Sequence, residues 1–408
     1  MPVEKGRWRI ACLLGVGVLV NYFDRVNIAV AHDALYRDFG ISTFTFGLLL
    51  SSFNWTYALL QLPGGVLLDR FGVSAIGRIS AFLWSLASFA AALSPNISLF
   101  FGARLLLGVG EAPTFPANAK AIGRWFPPEQ RSLPTAIFDA AAKFGPALGL
   151  PAIGFMLLRL GWRMSFALTG ILSFLYFLAF YFTYRDPSTS TSAIVQTSSG
   201  APLSYLLRQR KVIGLVTGFF GYNYCFYLLL LWLPTYFSAL KLSPGDSLIY
   251  SAVPWLAATA TDLLVGGWLV DALIRRGLND SLVRKTILIG GTTLGLAVAG
   301  PMFTKNPFVA LVWITIALAG LSAAAPVGWS IPSLIAPRES VGKVGAILNT
   351  GNQLAGIVAP VITAALAGPG NALGPAFAVA GVILISGIAA YVFLLGRIEP
   401  VPDHNTGL

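Results

Sequence analysis

Hydrophobic residues along the chain fall into twelve long runs, each separated from the next by a short polar connector. An α-helix needs about 20 apolar residues to cross roughly 30 Å of hydrocarbon, so each run predicts a membrane-spanning helix. The runs lack the ten-residue alternation of a membrane barrel, so an all-α membrane protein is expected. The predicted spans are residues 10–33, 44–68, 76–94, 98–121, 131–157, 163–184, 212–238, 247–273, 285–304, 307–331, 341–367 and 372–396.

Composition narrows the class of protein further. Of the 408 residues, 56% are hydrophobic and 11% are charged, whereas soluble proteins are about a quarter charged. This excludes a soluble enzyme. Cys12 and Cys225 both lie in apolar runs and are expected to be packing residues. The sequence contains no nucleophile motif, metal-binding helix or phosphate-binding loop, so we predict no enzymatic activity, no cofactor and no metal ion.

The basic residues indicate the orientation of the chain rather than a nucleic-acid partner. The net charge is +11, but the 27 Lys and Arg residues form no continuous basic face. If the amino terminus is inside, only Arg37, Arg159, Arg163, Lys241 and Lys305 lie on the outer side. The positive-inside rule therefore predicts that both termini are cytoplasmic, in a multi-pass protein of the plasma (inner) membrane.

A polar connector and a weak repeat divide the chain into two halves. Residues 188–202 are rich in Ser and Thr and predict a flexible linker. The segment Gly-Gly-Val-Leu-Leu-Asp-Arg-Phe-Gly at 64–72 is partly repeated as Gly-Gly-Trp-Leu-Val-Asp at 266–271. We predict a six-helix bundle over residues 1–184, a cytoplasmic linker over 185–211 and a second six-helix bundle over 212–408. Repeated halves of this kind are typical of alternating-access transporters.

Ionisable residues inside the spans are candidates for function because they are costly in a membrane. Those at membrane depth, away from the span ends, are Asp24, Arg25, Arg104, Glu111, Asp139, Lys143 and Asp262. Six of these seven lie in the first half, which predicts that the first half carries the ion chemistry. Asp262 has no assigned role.

Spacing suggests how these charges divide their roles. Adjacent helix positions point about 100° apart, so we expect Arg25 to face a cavity that binds an anion and Asp24 to face a neighbouring helix. Arg104 and Glu111 lie two turns apart on one helix face, and Gly108 and Gly110 are expected to keep the nearby helix surface small. Burial favours the neutral form of Glu111 and a nearby arginine favours its charged form, which makes Glu111 the first candidate for a proton carrier. Each acid could instead belong to a structural ion pair.

Lys143 has two open interpretations. It lies four residues after Asp139, so the two side chains could neutralise each other on one helix face. In the other interpretation, Lys143 faces the cavity and provides a third cation for the substrate.

The signature Gly65, Asp69, Arg70 and Gly72, together with the twelve spans, resembles the major facilitator superfamily. Asn-Tyr-Phe-Asp-Arg-Val-Asn at 21–27 and Arg-Leu-Leu-Leu-Gly-Val-Gly-Glu-Ala-Pro at 104–113 are similar to the anion:cation symporters of that superfamily. This branch includes sugar-acid transporters. Trp-Phe-Pro at 125–127 with Arg131 is similar to a further element of this family.

The resemblance implies proton-driven import of a small organic anion. It makes Asp24 and Glu111 the protonation sites and assigns Arg25, Arg104 and Tyr57 to substrate binding or coupling. Gln61 lies one turn from Tyr57 and would share its polar face. Gly65, Asp69, Arg70, Gly72 and, in the second copy, Asp271 are the expected gating residues. Gly65 would permit a close helix approach, Asp69 would engage a helix amino terminus, and Arg70 would bridge across the inner gate. Lys143 stands where sugar-acid relatives often have an uncharged polar group, and this favours a substrate with more negative charge.

Polar and aromatic side chains in the second half suggest a surface for substrate selectivity. They are Asn223, Tyr227, Ser330, Asn349, Asn352 and Gln353. Amides suit the hydroxyls of a sugar acid, but they also join helices in membranes. The alternative function is an organic anion or phosphate exchanger without proton coupling. The expected partners are the anion, protons and the lipid bilayer, and nothing requires more than a monomer.

Overall fold

The structure is a computed structural model that describes residues 2–127, 132–187, 201–337, 340–369 and 372–402. Within these ranges the regular structure is helical, apart from one isolated bridge between Gly368 and Ala372. The prediction of an all-α protein is confirmed for this part of the chain. Residues 188–200 of the predicted linker and Arg131 lie outside the described residues.

Seven helices form the first part of the chain. They are α1 Pro2–Val30, α2 His32–Phe39, α3 Thr43–Ala92, α4 Ile97–Glu111, α5 Thr114–Trp125, α6 Ser132–Leu160 and α7 Trp162–Thr183. Local chemistry sets several of their ends. The side chain of Asn96 accepts from the backbone N–H of Leu99 at 3.0 Å and caps α4, which satisfies one of the unpaired donors of the first turn. Gly40 ends α2 with a φ of 62°.

Eight more helices follow. They are α8 Leu203–Leu207, α9 Arg210–Ala239, α10 Pro244–Thr261, α11 Val270–Arg275, α12 Asp280–Gly295, α13 Pro307–Ile335, α14 Val341–Leu366 and α15 Gly374–Ala390. A π-helical segment, Asp262–Leu269, joins α10 to α11. A 3₁₀ segment, Leu296–Phe303, extends α12, and a π-helical segment, Tyr391–Leu395, extends α15.

Helix α3 contains the predicted second and third spans. At 50 residues and 1.5 Å per residue it would be about 75 Å long, more than twice the thickness of the hydrocarbon core. Gly72 interrupts it with φ 81° and ψ 168°, a conformation that other residues rarely adopt. The polar connector predicted between these spans is therefore a sharp break at one glycine.

The predicted fourth span, residues 98–121, is wrong as one continuous helix. It divides into α4 and α5 at Ala112 and Pro113, where proline has no N–H to donate to the preceding turn.

Nine helices in the described part of the chain are long and apolar enough to cross a membrane. The predicted count was twelve. Three features explain the difference: α3 merges two spans, α4 is only 15 residues long, and α14 carries three amides that lower its mean hydropathy. The count of twelve membrane crossings stays a prediction.

The chain divides into two compact units. The first holds the described residues of Met1–Thr191 together with Leu230–Ala252, and the second holds those of Ser192–Leu229 and Val253–Leu408. In the first unit α3 packs on α4 and α7, and α1 packs on α6; in the second, α12 packs on α13. Residues 230–252 thus group with the first unit, whereas the sequence placed them in the second half. The division at the linker stays a prediction.

Candidate functional site

A buried ion pair joins α1 to α4 inside the first unit. Nε of Arg25 donates to Oε2 of Glu111 at 2.8 Å, and a terminal guanidinium nitrogen lies 2.8 Å from the same oxygen. Glu111 is 0% exposed. Its other oxygen, Oε1, has no hydrogen-bond partner in the described part of the chain. The sequence had singled out both residues, but it did not predict that they pair across 86 positions.

Aromatic rings surround the guanidinium of Arg25. Its central carbon lies 4.8 Å from the ring centre of Tyr22, 4.7 Å from Phe53 and 5.2 Å from Tyr57. Such cation–π contacts hold a planar cation in one orientation. Tyr57 therefore lies beside Arg25, as expected for a shared site. Phe53 was not singled out, because an apolar ring within an apolar span gives no distinct signal.

Asp24 points away from Arg25, as the helical spacing predicted. Its two carboxylate oxygens each accept a hydrogen bond at 2.7 Å, one from Ser88 on α3 and one from Ser173 on α7. Both serines are buried. Asp24 is thus held by neutral hydroxyl donors, and the structure adds Ser88 and Ser173 to the residues of interest. A serine in an apolar span is a weak signal that sequence reasoning passed over.

Arg104 engages α1 rather than Glu111 of its own helix. Its NH1 donates to the backbone oxygen of Asp24 at 3.3 Å, and its guanidinium lies 5.7 Å from the ring centre of Phe53. Arg104 and Glu111 were predicted to share one helix face. They contact two different groups on α1, the backbone of Asp24 and the side chain of Arg25. Both side chains are buried.

Small residues on α4 let these groups approach closely. A Cβ added at Gly110 would lie 2.6 Å from the backbone nitrogen of Trp84 on α3, and Ser80 Oγ donates to the Gly110 backbone oxygen. Gly108 has similar close contact with Phe53 and Thr56. The prediction that these glycines keep the helix surface small is confirmed.

Lys143 and Asp139 form an ion pair along α6, with Nζ 2.8 Å from Oδ2. The lysine side chain is 4% exposed and the aspartate side chain is 27% exposed. Gln61, another predicted substrate residue, donates to the backbone oxygen of Ala112 at 3.2 Å. The pairing interpretation of Lys143 describes this structure, while a role in substrate binding stays a prediction.

The predicted gating motif makes contacts other than those expected. Asp69 does not engage a helix amino terminus, since its carboxylate lies 2.6 Å from Nζ of Lys120 on α5. Asp186 takes that place: it accepts from the backbone N–H of Ser74 at 3.0 Å and pairs with Arg124 at 2.8 Å. Asp186 follows α7 directly in the chain, and only its acidic character near a span end could have indicated it.

Asp186 also restricts Gly72. A Cβ added at Gly72 would lie 2.7 Å from Oδ2 of Asp186, in addition to the positive φ. Arg70 is exposed and lies over its neighbour Phe71 at 5.2 Å. Its role in bridging an inner gate stays a prediction.

The close approach expected at Gly65 does not occur there, and its neighbour Gly64 makes an ordinary van der Waals contact. No described heavy atom lies within 4 Å of a Cβ added at Gly65, whereas one at Gly64 would lie 3.6 Å from Pro113. In the second copy of the motif, the first glycine of the pair, Gly266, is closely packed. A Cβ added there would lie 2.7 Å from the backbone oxygen of Ala323. Asp271 is exposed in the first turn of α11.

An amide cluster lies inside the second unit. Asn223 on α9 donates from Nδ2 to Oδ1 of Asn352 on α14 at 2.8 Å, and also to the backbone oxygen of Phe219. Asn349 accepts from Gln353 at 3.5 Å. Nδ2 of Asn352 and Oε1 of Gln353 are buried without a hydrogen-bond partner among the described residues. These two atoms could bind polar groups of a ligand.

The other predicted residues of the second half lie in different surroundings. Ser330 accepts from NH1 of Arg284 at 2.9 Å and donates to the backbone oxygen of Val327. Among the described residues it is therefore joined to α12 and not to the amides. Tyr227 is buried, with its ring edge-on to Phe226. Asp262 is buried at the start of the π-helical segment.

These helices and buried charges define a polytopic membrane protein of the transporter class. Residues 14–279 and 277–408 match the family model of the Major Facilitator Superfamily, and the chain belongs to that family. It is therefore a transporter and not an enzyme. A solved D-xylose-proton symporter has the same fold, with a TM-score of 0.76 and 19% identity over 97% of this chain and 98% of that one.

Curated relatives extend this likeness over nearly the whole chain. An uncharacterized transporter of Bacillus subtilis, YybO, is 37% identical, covering 97% of this chain and 95% of the relative. A probable L-galactonate transporter of Escherichia coli is 30% identical, covering 96% and 89%. A probable galactarate/D-glucarate transporter of the same species, GarP, is 29% identical, covering 96% and 95%.

Proposed function

We propose that this protein imports an organic anion, a sugar acid or a related carboxylate, together with protons by alternating access. Its relatives include a probable galactarate/D-glucarate transporter and a probable L-galactonate transporter, and this supports the class of substrate. The coupling to protons rests on the buried charges. The protein would lie in the plasma membrane as a monomer with both termini in the cytoplasm.

The buried pair of Arg25 and Glu111 carries the proposal. A carboxylate of the substrate and the carboxylate of Glu111 are alternative partners for the same guanidinium fork, which suits such groups. When the substrate engages Arg25, an ionised Glu111 would be left buried without its partner, and this is costly. Protonation removes that cost. Anion binding to Arg25 and proton binding to Glu111 therefore favour each other.

Asp24 is proposed as the second proton site. Ser88 and Ser173 can donate to its charged form, and each hydroxyl can also accept a hydrogen bond from its protonated form. The two serines thus tolerate either state of the acid. Arg104 holds the backbone of Asp24 and would link this site to the neighbouring Arg25 on α1.

Neutralisation of the first unit would allow transport to proceed. A site whose charges are all paired is less costly to dehydrate than one with an unpaired charge. The buried amides Asn352 and Gln353 are proposed to bind the hydroxyls of the substrate. A proton gradient directed inward then favours release on the cytoplasmic side.

An exchanger without proton coupling is the alternative. It would need arginines for the anion but no acid that changes state. The direct pairing of Glu111 with Arg25 favours symport over exchange, because it links the anion site to a titratable group.

The test is anion-induced proton movement in proteoliposomes that contain the purified protein and a pH-sensitive dye. Sugar acids, dicarboxylates, sulfonates and organic phosphates are added at fixed ionic strength, with protein-free liposomes as the control. Symport predicts that at least one sugar acid carries protons inward. If no anion moves protons and one exchanges for itself across the bilayer, the symport proposal is wrong and the exchanger replaces it.

A further inference from the structure

The Asp139–Lys143 pair is asymmetric in its exposure. The lysine side chain is almost fully buried, while the aspartate side chain is 27% exposed. A buried ammonium needs an anionic partner, because removal of one partner from a buried pair leaves an uncompensated charge. A partly exposed carboxylate can be hydrated after it leaves its partner. Lys143 can therefore change its partner more easily if another anion replaces Asp139.

The charges of the first unit leave room for such an anion. At membrane depth, away from the span ends, the described cations of this unit are Arg25, Arg104 and Lys143, and the acids are Asp24, Glu111 and Asp139. With all six ionised, the two sets balance. Protonation of Glu111 and Asp24 leaves two positive charges in excess, so a substrate with one negative charge would balance only one of them.

Tyr22 places Lys143 close to the proposed anion site. The Arg25 guanidinium lies over the Tyr22 ring, and both Arg25 and Lys143 act electrostatically on its hydroxyl. Helix α6 approaches α1 at this level, since a Cβ added at Gly145 would lie 2.5 Å from Cβ of Tyr22. Arg25 and Lys143 thus both act on Tyr22, one over its ring and the other from the helix that packs against it.

We infer that Lys143 exchanges Asp139 for a second anionic group of the substrate, and that this exchange selects dianions over monoanions. The inference rests on the proposed function, in which Arg25 binds the first anionic group. The substrate class is therefore a compound with an acidic group at each end, such as an aldarate or a sulfonated carboxylate.

D-glucarate and D-gluconate are matched probes for this selection. They share a six-carbon polyhydroxy chain and differ in whether the last carbon is a carboxylate or a hydroxymethyl group. Their dissociation constants are measured with purified protein in detergent by thermal-stabilisation titration, which needs no proton gradient. The wild-type protein is expected to bind D-glucarate at least tenfold more tightly, about 1.4 kcal/mol.

Three variants separate selection from a structural role. Lys143→Gln and the neutral double variant Asp139→Asn with Lys143→Gln should reduce the preference to about twofold or less. Asp139→Asn alone should increase the preference, because it removes the competing carboxylate. Asp280→Asn, which removes the acid of another i,i+4 pair on α12, is the control and should keep the wild-type preference. The double variant avoids an unpaired buried charge and guards against a failure to fold.

Different results would contradict the selection of dianions by Lys143 and the proposal of symport. An equal affinity of the wild-type protein for the two probes, an unchanged preference in the double variant, or no binding of D-glucarate would overturn the selection by Lys143. In proteoliposomes, a failure of either anion to move protons would instead contradict symport and leave the binding preference intact.

Discussion

The two units differ in the kind of polarity that they bury. The first unit buries Asp24, Arg25, Arg104, Glu111 and Lys143, whereas Asp262 is the buried acid of the second unit among the described residues. The second unit buries amides instead, with Asn223 bonded to Asn352. Carboxylates can gain and lose a proton, whereas amides cannot. From this difference we propose that coupling belongs to the first unit and selectivity for hydroxyls to the second.

The largest expected effect comes from Arg25. Arg25→Gln removes the proposed anion site and leaves Glu111 buried without its cation, so initial anion uptake should fall at least 100-fold. Arg25→Lys keeps the charge but loses the planar fork, and uptake should still fall at least tenfold. Radiolabelled uptake into proteoliposomes measures both. Arg37→Lys, at an exposed arginine, is the control. Wild-type uptake by Arg25→Gln would contradict a charge-based site in the first unit.

A milder effect is expected from the amides. Asn352→Ala removes its bond to Asn223 and a buried donor, so the KM for a sugar acid should rise about three- to tenfold, as for one or two hydrogen bonds. The number of protons moved per anion should not change. Parallel measurements of uptake and proton entry test this division between the units. A change in that number would show that the second unit also takes part in coupling.

Packing around the charges of the first unit can be tested at Gly110. A methyl group at Gly110 would meet the backbone of Trp84 at 2.6 Å, so Gly110→Ala should destabilise the protein by about 1–3 kcal/mol. Gly102→Ala on the same helix adds a methyl group with no described atom within 4 Å and is the control. Thermal unfolding in detergent compares them. Equal melting temperatures would refute the close approach of α3 and α4.

The smallest effect concerns an acid outside the spans. Trp162, and after it Arg163, donates to Asp38, and these bonds hold the pKa of Asp38 below its usual value. A lowered folded pKa gives stability that is present above about pH 3.9, the ordinary value, and is lost as the pH falls through the folded pKa.

Asp38→Asn should therefore lower the melting temperature at pH 7 by no more than about 2 °C, because the pair is exposed. The difference from wild type should disappear in strong acid. A difference that persists there would mean that Asp38 contributes through something other than its charge.

The hydrophobic pattern of the sequence and the free-energy cost of placing charge in lipid predicted many features of this molecule. Long apolar runs predicted the helices, because a helix that spans the membrane has a required length. Arg25 and Glu111 were singled out because a buried charge is unfavourable unless it has a function or a partner. Their pairing could not be predicted, because it depends on how α1 and α4 pack. The same reason hid Ser88 and Ser173, whose importance appears only when α3 and α7 bring them to Asp24.

Breaks in helices were the other failure. The predicted fourth span divides into two helices at Pro113. Gly72 alone interrupts α3 where a polar connector was predicted. Both residues were visible in the sequence, but a mean over about 20 residues hides them. In the gating motif, the contacts could not be predicted, since Asp186 lies 112 residues from Ser74.

The central claim is that Glu111 couples the anion on Arg25 to a proton, and one comparison tests it most directly. Glu111→Gln and the exposed control Glu399→Gln are reconstituted, and accumulation of a sugar acid is measured with a proton gradient directed inward. We expect Glu399→Gln to accumulate the anion like the wild type, and Glu111→Gln to exchange it without accumulation. Undiminished proton-driven accumulation by Glu111→Gln would contradict proton coupling through Glu111.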